Sequence, residues 1–205
     1  MMKHLIRTVL STTSLFALSL QMFAGDWPQW RGADRNDISS ETGLLDSWPD
    51  NGPKRVWLSD EAGLGYSGFS IVDGKLFTMG LDDSYSYLYA FDALTGKKLW
   101  STKMGTHFKN KWGDGPRGTP TVDGSHVYAL AAKGELVCAK VADGNIVWKK
   151  ELIGDFGGKV PGWGYCESVL VDGDNVICTP GGKKGLMVAL NKKNGKIVWS
   201  SEAFP

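Results

Sequence analysis

The feature that most constrains this chain is a threefold internal repeat. Val-Asp-Gly triplets place aspartates at 73, 123 and 172, which are 50 and 49 residues apart. Each aspartate is followed by a second turn ending in glycine and then by a tryptophan, 27, 25 and 27 residues after it: Trp100, Trp148 and Trp199. A period of 45 to 50 residues is the size of one β-propeller blade.

Between these marks each repeat contains four short β-prone runs separated by Asp-Gly or Asn-Gly turns, which favour hairpins because they accept positive φ. The 27 glycines and nine tryptophans fit short strands and tight turns. The sequence predicts an all-β propeller of four-stranded antiparallel blades, with about three blades at residues 66–102, 115–150 and 163–201. A tryptophan on each outer strand is placed to fill the gap to a neighbouring blade.

The charge is nearly balanced, with 23 Lys and Arg against 22 Asp and Glu. A chain with this balance has too little net positive charge to attract the phosphates of nucleic acid, so no nucleic-acid partner is expected.

The first 24 residues read as a signal peptide. Lys3 and Arg7 give a basic start, residues 9–23 are mostly apolar, and Ala24 precedes a polar stretch. The apolar run is too short for a membrane span. Because the first cysteine is Cys138, no lipid anchor is expected, and the predicted location is periplasmic or secreted.

One motif carries a family resemblance. Residues 90–100, Ala-Phe-Asp-Ala-Leu-Thr-Gly-Lys-Lys-Leu-Trp, resemble the tryptophan-docking motif of pyrroloquinoline-quinone (PQQ) repeat propellers. Residues 189–199 are similar, with Asn191 in place of the usual aspartate, and residues 139–148 form a version one residue shorter. The resemblance assigns Trp100, Trp148 and Trp199 to structural docking.

The whole chain after the signal peptide, including the opening Asp-Trp-Pro-Gln-Trp-Arg-Gly at 26–32, resembles exported PQQ-like repeat proteins. This group is similar to quinoprotein alcohol dehydrogenases, among them polyvinyl alcohol dehydrogenase-like proteins, and to the BamB-type outer-membrane assembly propeller.

Three blades are fewer than the four to eight of a closed propeller. Residues 25–56 form an N-terminal extension before the repeat region 57–205, and its end, from Gly52 to Trp57, reads as a strand that closes a final blade. We therefore expect an N-terminal fragment that lacks C-terminal blades and that is poorly soluble or oligomeric alone.

The candidate site lies at the mouth of the central channel, where the long connections between blades meet. Aligning the repeats places Arg117 and Glu167 at the entry of the innermost strand in adjacent blades. One interpretation is an ion pair or hydrogen bonds that tie the blades together. The other is recognition of a carboxylate or sugar-like ligand by Arg117, with Trp112 or Trp163 as a stacking surface. The candidate ligand-binding residues are Arg117, Glu167, Trp112, Trp163, Tyr165 and Tyr66.

Catalytic motifs are absent from the sequence: it has no glycine-rich phosphate loop, His-Glu-x-x-His or Cys-x-x-Cys. Cys166 and Cys178 flank one hairpin turn and form either a disulfide or two buried thiols. No metal ligands and no catalytic residues are predicted.

Two functions follow from the resemblance. The first is a binding or scaffolding module, not catalytic on its own, for a protein, small-molecule or polymer ligand. The second is part of a PQQ-dependent alcohol dehydrogenase of the polyvinyl alcohol type, with PQQ and calcium bound in the full-length protein. Calcium binds six to eight oxygen ligands, and three blades offer few inward-facing carboxylates. This shortage favours the binding or scaffolding module.

Overall fold

The computed structural model describes residues 25–202. The predicted signal peptide, residues 1–24, lies outside the described residues. Among the described residues, no helix is long and apolar enough to cross a membrane.

Twelve strands form three four-stranded antiparallel sheets, and the strands of each sheet lie in chain order. Blade 1 contains β1 (Phe69–Val72), β2 (Lys75–Leu81), β3 (Tyr85–Asp92) and β4 (Lys98–Thr106). Blade 2 contains β5 (Thr121–Asp123), β6 (His126–Leu130), β7 (Glu135–Lys140) and β8 (Ile146–Glu151). A short helix, α1 (Leu152–Phe156), follows it. Blade 3 contains β9 (Leu170–Asp172), β10 (Asn175–Cys178), β11 (Val188–Asn191) and β12 (Ile197–Ser200). The prediction of an all-β propeller fold with four-stranded blades is confirmed.

The Val-Asp-Gly triplets form the first hairpin turn of each blade, but not identically. In blade 1, Val72 pairs with Lys75, and both Asp73 (φ 49°) and Gly74 (φ 69°) occupy the left-handed region. In blade 2, Asp123 still pairs with His126, so the turn falls one residue later. Both turns contain two residues, so the second strand of blade 1 starts one residue nearer to its triplet because its turn is shifted by one residue.

The core lies between the blades rather than within one. Apolar side chains of blades 1 and 2 face each other in one buried cluster that includes Phe77, Met79, Leu88, Val127 and Val137. A second cluster joins blades 2 and 3 and includes Tyr128, Leu136, Trp148, Val176 and Leu190. Each sheet therefore buries its faces only by stacking on its neighbours.

A tryptophan indole joins each blade to the next. Trp100 Nε1–H of β4 donates to Val141 O in blade 2 (3.1 Å), and Trp148 Nε1–H of β8 donates to Lys192 O in blade 3 (2.9 Å). Both acceptors lie three residues before a turn glycine.

These turn glycines leave room for the indole. Gly144 has φ 73° and Gly195 has φ 68°, and a Cβ at Gly144 would lie 2.6 Å from the Trp100 ring. A side chain at Gly144 would both adopt an unfavourable positive φ and clash with the Trp100 ring.

Trp57, directly after the N-terminal extension, makes the same contact. Its Nε1–H donates to Ala93 O (3.0 Å), and its ring covers Gly96. Residues 52–57 themselves form no strand in the structure, so the closing strand predicted there stays a proposal.

Trp199 differs from this pattern. Its side chain is 41% exposed, with no turn of a following blade against it among residues 25–202. The three described blades do not bury Trp199, and its docking role stays a prediction.

The start of the N-terminal extension crosses the innermost strands of all three blades. Trp27 forms an antiparallel bridge with Ile71 of β1, and Pro28 O accepts Val122 N–H of β5 (2.8 Å). Arg35 then donates to Val169 O just before β9 (3.2 Å). The extension therefore places its side chains beside the first strands of all three blades.

We expect Trp148→Ala to lower the free energy of unfolding by about 3–5 kcal/mol, because Trp148 is 8% exposed and carries the contact between blades 2 and 3. Trp163→Ala is the matched control, since that tryptophan is 55% exposed, and should change stability by less than about 0.5 kcal/mol. Urea unfolding measures both. Equal effects of the two substitutions would contradict this account of the fold.

Candidate functional site

A pocket of about 610 Å³ lies at the channel mouth. We call it the mouth pocket, and its lining comes from the N-terminal extension and from the segments that lead into β1, β5 and β9. The lining residues are Trp30, Arg35, Tyr66, Gly68, Arg117, Thr119, Cys166, Glu167 and Ser168. The sequence placed Arg117 and Glu167 at the strand entries of adjacent blades and named Tyr66 as a further candidate, and all three line this pocket.

Arg35 is the main cation of this pocket that sequence reasoning missed. Its Nε–H donates to Gln29 Oε1 (2.9 Å) and one Nη2–H donates to Val169 O (3.2 Å). These two bonds aim the guanidinium into the pocket and leave Nη1 without a hydrogen-bond partner among residues 25–202. The signal available in the sequence was the tryptophan-rich opening segment, which lies outside the repeat and so could not be placed by alignment.

Arg117 is engaged by its own loop. Its guanidinium donates to Gly115 O and to Gly113 O (2.7 Å for the latter). The same group lies 4.9 Å from the Phe108 ring centroid and 5.5 Å from that of Tyr66. Arg117 therefore shapes the loop that precedes β5 and adds positive charge to the pocket, with both of its terminal nitrogens already bonded to loop carbonyls.

Glu167 is the carboxylate of the pocket lining. Its oxygens accept bonds from Thr179 N–H (2.8 Å) and Thr179 Oγ1 (3.2 Å), which favour the charged form. Burial disfavours that form more strongly, so the pKa of Glu167 is raised above its usual range despite these bonds and the nearby Arg35 charge.

Arg117 and Glu167 do not form the ion pair considered from the sequence. The hydrogen bonds that tie the blades at the mouth come from neutral groups instead. Ser67 Oγ donates to Gly118 O (2.7 Å), and Thr119 N–H donates to Ser168 Oγ (2.8 Å). Adjacent blades thus share bonds at the pocket floor without using its charged residues.

Two exposed indoles stand beside the pocket. Trp112 and Trp163, from successive connections between blades, stack with ring centroids 5.9 Å apart and planes inclined by 23°. Tyr66 links them to the pocket, since its hydroxyl donates to Trp112 O (3.2 Å). We call Trp112 and Trp163 the tryptophan pair.

Tyr165 is not part of either surface. It is 5% exposed, and its hydroxyl donates to Pro180 O (2.9 Å). The expectation that it contacts ligand is corrected: the ring lies in the core between blades 2 and 3, because its backbone turns it inward while the neighbouring Cys166 faces the pocket.

His107 stabilises the connection between blades 1 and 2, which carries Trp112. Its Nε2 lies 2.8 Å from Asp114 Oδ2 and its Nδ1 lies 3.0 Å from Asp83 O. The hydrogen bond to Asp114 raises the pKa of His107, and Asp114 also accepts Asn110 N–H. The cluster fixes loop geometry at the end of blade 1.

The cysteines are three free thiols, so no disulfide joins Cys166 to Cys178 in the structure. Cys178 is buried as a thiol, and burial raises its pKa to about 12. Cys166 is exposed at the pocket, which neither reading of the pair from the sequence anticipated.

The described residues do not fit a calcium site. No group of three or more His, Cys, Asp or Glu side chains within residues 25–202 could hold a metal ion. Glu167, the one carboxylate of the pocket lining, has both oxygens engaged by Thr179. The arginines and aromatic rings suit an acidic organic ligand, but the oxygen donors that calcium requires are missing from this part of the chain.

The raised pKa of Glu167 predicts how stability depends on pH. The folded state holds this proton more tightly than the unfolded state, so stability should fall as pH rises from about 4.5, the ordinary value, through the raised value. Glu167→Gln should remove this slope, since glutamine is neutral throughout. Urea unfolding across pH 4 to pH 8 measures the effect, with exposed Glu202→Gln as the control. A slope unchanged in Glu167→Gln would contradict the assignment.

Comparison with solved structures finds similar folds in two dehydrogenases. A europium-containing methanol dehydrogenase superposes with a TM-score of 0.62 and 16% identity, covering 87% of this chain and 32% of that one. Quinohemoprotein alcohol dehydrogenase from Comamonas testosteroni gives a TM-score of 0.56 and 19% identity over 85% of this chain and 26% of that one. At these identities the likeness shows the fold alone.

Sequence comparison is more specific. The outer membrane protein assembly factor BamB of Yersinia pestis is 29% identical over 121 residues, which are 58% of this chain and 28% of that protein. The chain thus spans little more than a quarter of that relative's length. The family model described as outer membrane protein assembly factor BamB matches residues 84–204. Since this match covers more than half of the sequence and includes blades 2 and 3 as well as the docked Trp100 and Trp148, the chain belongs to the BamB family of PQQ-like repeat propellers.

Proposed function

We propose that this protein is a binding or scaffolding module of the periplasm or the extracellular space, not catalytic on its own. Its ligand is an acidic segment of a partner protein held at the mouth pocket. Further blades complete the propeller in the same proposal, since the matched relative is much longer than this chain.

The observation that carries the proposal is the charge of the mouth pocket. Arg35 and Arg117 contribute two positive charges against the single carboxyl of Glu167. Arg35 Nη1 lacks a protein partner among the described residues, and a carboxylate can accept a charge-assisted hydrogen bond from it. Trp30 and Tyr66, which are 52% and 62% exposed, add apolar contact area around this cation. Arginine and aromatic side chains are the usual anchors of protein interfaces.

The similarity to the BamB sequence supports a protein ligand, since that relative is described as an assembly factor for outer membrane proteins. The alternative, part of a PQQ-dependent alcohol dehydrogenase, draws support from the fold alone. Because the donors of the mouth pocket do not fit calcium, we derive no oxidation step from these residues.

Photo-cross-linking in cells of the native host tests the proposal. A benzoylphenylalanine at position 30, in the full chain, should form adducts with a partner protein, because this side chain lines the pocket. Arg35→Gln should reduce these adducts several-fold. The same probe at exposed Ser125, in the turn at the opposite end of blade 2, is the matched control and should form few.

Equal adducts at positions 30 and 125, or adducts unaffected by Arg35→Gln, would overturn the proposed site. Purified chain supplied with PQQ and calcium should show no alcohol-dependent dye reduction. Turnover abolished by Arg117→Ala would establish the dehydrogenase function instead.

A further inference from the structure

The tryptophan pair exposes far more apolar surface than folding requires. Trp112 is 62% exposed and Trp163 is 55% exposed, although the two rings already stack on each other. The apolar faces of an indole stabilise the fold through the area that they bury. Most of this area is therefore unused by the core and forms a flat aromatic surface next to the mouth pocket.

Polar contacts hold the two loops independently of the stacked rings. Asn110 Nδ2–H donates to Gly162 O across the two connections (2.6 Å), and Tyr66 Oη–H donates to Trp112 O. The His107–Asp114 contact fixes the base of the first connection. Since these bonds already join the two loops, the loops do not need the stacked rings to hold their positions.

Three lysines lie in the two connections that carry the tryptophan pair. Lys109 and Lys111 lie in the connection of Trp112, and Lys159 lies in that of Trp163. Lys111 Nζ lies 5.0 Å from the Trp112 ring centroid. None of the three forms an ion pair with a carboxylate of residues 25–202, and the nearby Asp114 is taken by His107. Residues 107–117, the connection that carries Trp112, therefore hold three cations, Lys109, Lys111 and Arg117, against the one carboxylate of Asp114.

We propose that the tryptophan pair binds an acidic polysaccharide. The C–H face of a pyranose ring carries weak positive charge and stacks on the negative face of an indole. Carboxylate or sulfate groups of the same chain would meet the lysine ammonium groups. This inference deepens the proposed binding role and rests on it, since it assigns a second ligand to the same end of the propeller.

Two other occupants fit the surface less well. A peptide anchor needs a desolvated pocket, whereas neither indole belongs to the lining of the mouth pocket. Single-stranded nucleic acid also stacks on aromatic rings, but it needs a basic groove that follows many phosphates. Three lysines in a chain with a formal charge of +1 do not provide one.

Isothermal titration of the full chain tests the proposal with three probes: oligogalacturonate, neutral cellohexaose and an oligo-dT strand. We expect oligogalacturonate to bind most tightly, with weaker binding at high salt. Trp112→Ala and Trp163→Ala should each weaken it at least about fivefold, and Lys111→Gln should weaken oligogalacturonate more than cellohexaose. Trp48→Ala, which removes another exposed tryptophan (70% exposed), is the matched control and should leave binding unchanged.

Absence of oligogalacturonate binding, equal affinity for cellohexaose, tighter binding of oligo-dT, or an equal loss in Trp48→Ala would each overturn the inference. Cross-linking from position 30 separates this failure from that of the proposed function. If only the polysaccharide inference is wrong, Arg35-dependent protein adducts persist in the Trp112→Ala/Trp163→Ala double variant. If the proposed function is wrong, those adducts are missing in the unsubstituted protein as well.

Discussion

The structure depends on an indole N–H that reaches from one blade to a turn carbonyl of the next. Trp57, Trp100 and Trp148 each donate to a carbonyl three residues before a turn glycine, and each ring covers that glycine. The contact combines burial of a large apolar ring with a satisfied donor. Because it fixes both the distance and the rotation between neighbouring sheets, it determines where the inner strands of adjacent blades begin. The mouth pocket is built on those strand entries.

The charge that the mouth pocket offers to a ligand depends on which charged side chains are already bonded within the protein. Arg117 has both terminal nitrogens bound by carbonyls of its own loop, whereas Arg35 arrives from the N-terminal extension with Nη1 unpaired among residues 25–202. Glu167 is stabilised by Thr179, yet burial still raises its pKa. At lower pH the pocket therefore becomes more positive, so it suits an acidic ligand better than a metal ion. The tryptophan pair extends the same end of the propeller with an aromatic and basic surface.

Repeat spacing predicted the blades, their strand runs and the docking role of Trp100 and Trp148, because these features recur at fixed distances along the chain. Arg35 and Trp30 were missed since they precede the repeats, and only tertiary packing brings them to β9. Tyr165 was misplaced for a related reason: alignment gives a strand position but not the direction of a side chain next to a glycine turn. Trp199 was expected in the core, yet burying it requires a neighbour that residues 25–202 do not supply.

Hydrogen exchange of the indole N–H groups, followed by NMR on ¹⁵N-tryptophan-labelled protein, tests the central claim most directly. The account predicts slow exchange for Trp57, Trp100 and Trp148, whose N–H groups are bonded to the next blade. It predicts fast exchange for the exposed Trp112 and Trp163. If the N–H groups of the three docked indoles exchanged as fast as those of the exposed pair, this result would contradict the claim that indole hydrogen bonds hold neighbouring blades together and so position the mouth pocket.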